Sequence, residues 1–344
     1  MIKTENIITG RIGWVDYAKC LALYVVVLVH THCTPMTYHV CNSFVMPVLF
    51  FLSGFLFSRK RNPHYGPFVW KRTRQLVFPY LWLSALAYVC WVFVLRYVGE
   101  DAAEAVAWYE PLVATLLGIP ARMVHDVPLW SLLTFFFVEI IFYPLSKWKV
   151  PDWLTFVVFF ALACAVNGAT DGFSLYLPFV LEPLPMGLAM YAFGHLAGAN
   201  RRALEVFFRP SAIAAMLGAV LFVPCVQYNS TVMFYVGKLG NPLLFMGGAI
   251  GGIILMIQLS GVLEYCFRDG AFVRFVSRGT LLICGFHLLV MAAVKGVALY
   301  VFHITPDVLA HGVVHGMLLA AVVYALTLPI IWLIDTKLPW LVNK

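Results

Sequence analysis

The chain has 344 residues, of which 62% are hydrophobic and only 11% charged, and its mean hydropathy is +0.89; a soluble globular domain carries roughly 25% charged residues. This excludes a water-soluble enzyme and points to an integral membrane protein. The net charge of +7 falls in the connections between apolar runs and gives no argument for nucleic acid.

A membrane helix needs about 20 mostly apolar residues, whereas barrel strands show short alternating segments. The apolar runs here are long and uninterrupted. They predict an all-α polytopic membrane protein with ten spans, at about 14–33, 41–58, 76–98, 128–146, 153–167, 176–198, 211–227, 242–263, 280–301 and 309–334. The first run contains Asp16 and Lys19 and no small-residue cleavage site follows it, so it is expected to stay as a signal anchor. The weakest stretch is "GFSLYLPFVLEPLPMGLAM" at 172–190, interrupted by Glu182 and three prolines. It reads as a broken or partly re-entrant helix, in which Glu182 either lines a path or caps the break.

With the N-terminus inside, the cytoplasmic segments receive 18 of the 23 Lys and Arg residues and the outer ones only Arg96, Arg122 and Lys238. The positive-inside rule therefore predicts both termini in the cytoplasm. The longest outer connection, 99–127, carries Glu100, Asp101, Glu104, Glu110 and Asp126 against Arg122 and is expected to cover the outer mouth. No connection is long enough for a separate soluble domain, so residues 1–344 read as one transmembrane domain.

Polar groups inside spans are costly and face a protein interior or a water-filled path. Lys19 and His30 are 11 residues apart, which on a helix is three turns plus about 20°, so both share one face roughly 16 Å apart along the axis. Asp16 lies one turn below Lys19 on the same stripe and is expected to orient and neutralise it. In "PVLFFLSGFLFSRKR", 47–61, Ser53 and Gly54 permit close approach of backbones. Arg59, Lys60 and Arg61 then end the span, and the basic segment continues as "FVWKRTRQLVFPY", 68–80, with Lys71, Arg72 and Arg74. Such a cluster suits an anionic ligand or anionic membrane lipids. Glu139, His195, Gln258, His287, Lys295, His311 and His315 also fall within spans. "HGVVH" at 311–315 has a metal-like spacing but lacks the zinc-protease glutamate, and no metal is predicted. The eight cysteines form no CxxC pair and read as apolar packing; Cys33 and Cys41 would meet only at an oxidising outer surface.

Taken together, these stretches resemble the membrane acyltransferase-3 family, which includes polysaccharide O-acetyltransferases. "DYAK" supplies the family's acidic and basic pair as Asp16 and Lys19, with His30 at the following interval; lysine stands where arginine is commoner. "PVLFFLSGFL" is similar to the second-helix signature, "KRTR" matches the basic pair through Lys71 and Arg74, and "PLWSLLTFFFVEIIFYPL" at 128–145 looks like the Trp-containing fourth span, with Leu133 in place of a polar residue. "MYAFGHLAG" at 190–198 and "SRGTLLICGFH" at 277–287 look like later landmarks through Ser277 and His287.

The resemblance implies transfer of an acyl group, acetyl above all, from cytoplasmic acyl-CoA to a hydroxyl of a glycan or lipid-linked saccharide at the outer face of a bacterial cytoplasmic (inner) membrane. On that basis His30, Asp16, Lys19 and Glu139 are the expected catalytic residues. Lys71, Arg72, Arg74, Arg59, Lys60, Arg61, Ser53 and Gly54 are expected to bind the donor, and Trp130 and His287 the acceptor. Acetyl-CoA is the only cosubstrate implied. Succinyl or N-acyl transfer, a carrier or export factor, and assembly as a homo-oligomer all remain open at this stage.

Overall fold

The computed structural model of the protein describes residues 11–98, 106–172, 176–268, 270–305, 308–309 and 312–342. Among these the chain is helical, with one isolated antiparallel bridge between Met233 and Lys238. In chain order the helices are α1 (Gly13–Val29), α2 (Pro35–Asn42), α3 (Val45–Leu56), α4 (Tyr65–Arg72), α5 (Phe78–Phe93), α6 (Glu110–Leu117), α7 (Trp130–Lys147), α8 (Asp152–Gly172), α9 (Leu184–Ala199), α10 (Glu205–Phe208), α11 (Ala212–Tyr228), α12 (Pro242–Phe267), α13 (Ala271–Arg278), α14 (Thr280–Tyr300) and α15 (Gly312–Lys337). Seven helical stretches are long and apolar enough to cross a membrane: Pro35–Leu56, Tyr65–Tyr97, Val127–Lys147, Asp152–Thr170, Pro242–Phe267, Thr280–Tyr300 and Gly312–Lys337. The helices α1, α9 and α11 are shorter, at 17, 16 and 17 residues.

Three local departures from the sequence reading have clear causes. The second span begins at Pro35 rather than near 41, because Thr34 Oγ1 accepts from the Thr37 amide (3.3 Å) and Pro35 presets the first helical turn. The third helical stretch begins at Tyr65, so the basic segment is helix and not loop; between α4 and α5 the chain runs through a π-helical turn, Thr73–Val77. The sixth span is cut short by an irregular stretch ahead of α9. There Phe179 and Val180 adopt positive φ and donate to Leu117 and Gly118 carbonyls, while Glu182 accepts from the Leu177 amide at 2.7 Å. Glu182 thus caps the break. The acidic residues Glu100, Asp101 and Glu104 and the histidine His311 lie outside the described residues. Cys33 and Cys41 are both buried, unbridged thiols.

Helix α3 lies against α9 over its full length, and α1 runs between α3 and α12 on one side and α13 to α15 on the other. The α3–α9 contact is backbone to backbone: a β-carbon added to Gly54 would stand 2.0 Å from the Tyr191 carbonyl oxygen, and one on Gly194 2.0 Å from that of Phe51. Small residues are what permit such approach when no hydrophobic effect drives helices together in lipid. Around this seam Phe50, Phe51 and Tyr191 are fully buried, and a second core of Leu23, Val27, Ile283 and Val323 fills the other side of α1. Buried on both sides, α1 can carry its polar stripe only where the packing leaves a gap.

Candidate active site

That gap is a cavity of about 1000 Å³ between α1, α3, the π-helical turn, α7, α13 and α14, at the upper end of the range for small-molecule sites. From α1, Asp16, Lys19, Leu23, Val26 and His30 line it, at steps of three and four residues that keep one helical face to the interior. One end is cationic: Arg11, Lys19, Arg61, Arg72 and Arg278 line it, against the two carboxylates of Asp16 and Glu139. The other end holds His30, His32, Tyr38, Asn42, Trp130, Ser131, Phe234 and Tyr235. A stack of Phe50, Phe234 and Trp130, with centroids 5.8 and 5.9 Å apart, pins the connection between α11 and α12 across this second end.

His30 follows the last residue of α1 and keeps a helix-end conformation (φ −89°, ψ 0°). Its Nδ1 is 2.7 Å from the Val26 carbonyl and 3.4 Å from Nε2 of His287. His287 is fully buried and its own Nδ1 faces the Ile283 carbonyl at 2.9 Å. A carbonyl only accepts, so each Nδ1 carries the proton; in a neutral His287 the Nε2 lone pair then faces the His30 N–H. His30 Nε2 is left with a lone pair and no hydrogen bond among the described residues. The rings stand edge to face with centroids 5.0 Å apart, so His287 fixes the tilt of His30 from behind. His287 itself is not among the residues that line the cavity.

At the cationic end the pairing differs from the sequence reading. The Asp16 carboxylate accepts from Arg11 Nε at 2.6 Å and from Ser277 Oγ at 2.5 Å, tying the start of α1 to α13. Lys19 makes no hydrogen bond or ion pair among the described residues. A side chain four carbons long, one turn above Asp16, extends into the cavity rather than back along the helix. Glu139 is ion-paired with Arg72 Nε and accepts from Ser53 Oγ at 3.4 Å. It is therefore engaged at the cationic end and does not touch His30.

The basic cluster splits by helical phase. Arg72 and Gln75, three residues apart, share a face and are joined by a 2.9 Å hydrogen bond from Arg72 Nη1; both line the cavity. Arg74 is two residues from Arg72, about 200° around the helix, and points away, as does Lys71, which reaches Asn62 Oδ1 at 3.3 Å. Arg59 donates to the Ser146 and Lys147 carbonyls, at 3.0 and 3.2 Å, capping the end of α7. Lys60 is exposed and Gly54 is sealed against α9. Of the expected donor-binding residues, the structure thus brings Arg61, Arg72 and Ser53 to the cavity and leaves Lys71, Arg74, Arg59, Lys60 and Gly54 outside it. The residues not singled out from sequence are Arg11, Gln75 and Arg278. Reading 65–77 as helix would have revealed Gln75, one turn past Arg72.

Two buried titratable groups, His125 and Asp126, lie just before the span of α7 and do not line the cavity. Burial alone pulls the His125 imidazole down to about 4, so it is neutral at ordinary pH, and pushes the Asp126 carboxyl up. Removing Arg72 leaves the buried Glu139 carboxylate without its cation. Arg72→Ala is expected to destabilise the protein by roughly 3 kcal/mol, the low end for a broken buried pair because the Arg72 side chain is 27% exposed. Glu139→Gln in the same background should restore much of the loss in melting temperature.

The described residues contain no group of three or more His, Cys, Asp or Glu placed to hold a metal ion. The family profile described as "Acyltransferase domain", that of acyltransferase family 3, matches residues 12–336. The chain belongs to the acyltransferase-3 family. No curated protein and no solved structure matches it. Membership extends over nearly the whole chain.

Proposed function

We propose that this protein is a membrane O-acyltransferase that takes an acyl group, acetyl above all, from cytoplasmic acyl-CoA and delivers it to a hydroxyl of a glycan or lipid-linked saccharide at the outer face. The observation that carries this reading is one cavity joining a cluster of cations to the unprotonated Nε2 of His30. The ten predicted spans, with α1, α9 and α11 as the shorter crossings, and the positive-inside orientation put the cationic end in the cytoplasm. There Arg11, Lys19, Arg61, Arg72 and Arg278 offer charge-assisted hydrogen bonds to the phosphates of CoA, and the unpaired Lys19 ammonium lies furthest along the path to His30. The slender pantetheine arm brings the thioester up the α1 stripe.

At the far end His30 Nε2 accepts the proton of the acceptor hydroxyl as its oxygen attacks the thioester carbonyl. The C–S bond then breaks, the CoA thiolate leaves, and the imidazolium returns the proton to sulfur. The N–H of His30 Nδ1, held by Val26 and His287, stabilises the imidazolium in place. His287→Leu is expected to lower kcat about tenfold, the loss of one buried hydrogen bond, with donor KM unchanged; an equal rise in KM would instead mark a structural defect.

The test is acyl transfer in inverted vesicles holding the protein, with labelled acetyl-CoA outside and lipid-linked saccharides as acceptors. Label on the saccharide that is lost in His30→Ala, a variant expected to keep its fold, supports the reading. Acceptor translocation without label would favour a carrier.

A further inference from the structure

Arg74 lies on the π-helical turn that follows Arg72, and on the opposite side of the helix from it. Its guanidinium makes no hydrogen bond or ion pair among the described residues. It borders a second cavity of about 540 Å³, lined further by Phe78, Leu81, Trp82, Trp340 and Leu341. Trp82 Nε1 donates to the Leu341 carbonyl at 3.0 Å, which fastens the C-terminal 3₁₀ turn Pro339–Val342 across the start of α5. Trp340 is 70% exposed and Phe78 and Leu81 are also open. A single unpaired cation thus stands at the edge of an apolar groove, with an indole at the same level.

We infer that this groove binds an anionic glycerophospholipid of the inner leaflet, its phosphate on Arg74 and an acyl chain along Phe78, Leu81 and Leu341. Three observations favour that occupant. On the orientation adopted above, the groove opens at the cytoplasmic membrane interface, where indoles settle at headgroup depth. The groove's lining is apolar except for Arg74, which suits an amphiphile with one charged end and not a free phosphate or a nucleotide. At that depth an arginine with no partner among the described residues offers a phosphate charge-assisted hydrogen bonds. Two residues apart, about 200° around the helix, Arg72 turns to the inner cavity and Arg74 to the groove.

The experiment uses the full chain reconstituted in nanodiscs of mixed phosphatidylglycerol and phosphatidylcholine, with retained lipid read by native mass spectrometry. Phosphatidylglycerol should be enriched on the wild type and its retention reduced roughly fivefold in Arg74→Gln, the effect of one cation near an anionic surface. Trp340→Ala should reduce it as well, while Lys60→Gln, an exposed cation elsewhere in the same basic stretch, should not. Equal retention by Arg74→Gln and wild type would overturn the inference, as would an equal loss in Lys60→Gln, which would mean diffuse attraction only. Acyl-CoA binding is measured on the same samples. A loss in Arg74→Gln as large as that in Arg72→Gln would return Arg74 to the donor site and likewise overturn it.

Discussion

His30→Ala is expected to lower acyl transfer by roughly 10²–10⁴-fold, the range for removal of a general base, while the protein still inserts, purifies and melts as the wild type does. The second half of that expectation follows from position. His30 is only partly buried, sits beyond the last turn of α1, and holds α1 through one bond to its own helix and one long contact to His287. Removing its ring widens the cavity without breaking a core. A variant that keeps the donor-binding end intact but has lost turnover would therefore load acyl-CoA normally, and equilibrium binding of labelled acetyl-CoA measures this directly. Full turnover in His30→Ala would remove the imidazole from the chemistry. A fall in donor binding to match the fall in turnover would place His30 in ground-state binding instead.

Gly54→Ala should be strongly destabilising. The new methyl would meet the Tyr191 carbonyl oxygen at 2.0 Å and its carbon at 2.8 Å, and both are backbone atoms of α9 that no rotamer change can move. The two helices must separate, and the reciprocal contact of Gly194 with Phe51 and the ring packing of Phe51 on Phe193 separate with them. Overpacking of this kind costs about 1–3 kcal/mol and occasionally more; a contact against rigid backbone belongs at the upper end. The readouts are monodisperse yield and melting temperature in detergent. Gly66→Ala is the control, because nothing lies within 4 Å of its added carbon, and it should be neutral or slightly stabilising in a helix. If Gly54→Ala instead folded normally and raised only the donor KM, the residue would belong to donor binding after all.

Much of the architecture follows from properties local to the chain. Hydropathy locates the helices because lipid leaves backbone groups no partners except one another, and each of the ten predicted runs overlaps an observed helix, seven of the helical stretches being long and apolar enough to cross a membrane. Helical phase places Asp16, Lys19 and His30 on one face, and all three line the cavity. The same rule puts Arg74 about 200° from Arg72; a dense basic cluster reads as a loop, while the helix in fact begins at Tyr65.

What the one-dimensional pattern could not decide is which groups meet across helices. Asp16 and Lys19 are neighbours on one turn, yet Asp16 bonds to Arg11 and to Ser277, 261 residues away. His30 is completed by His287, 257 residues on, and Glu139 by Arg72. Periodicity specifies a direction around a helix axis and says nothing of what stands in that direction. That choice depends on how closely neighbouring helices approach, and here glycines at 54 and 194 bring two backbones into contact and leave the gap beside α1 in which cations and imidazole share one cavity.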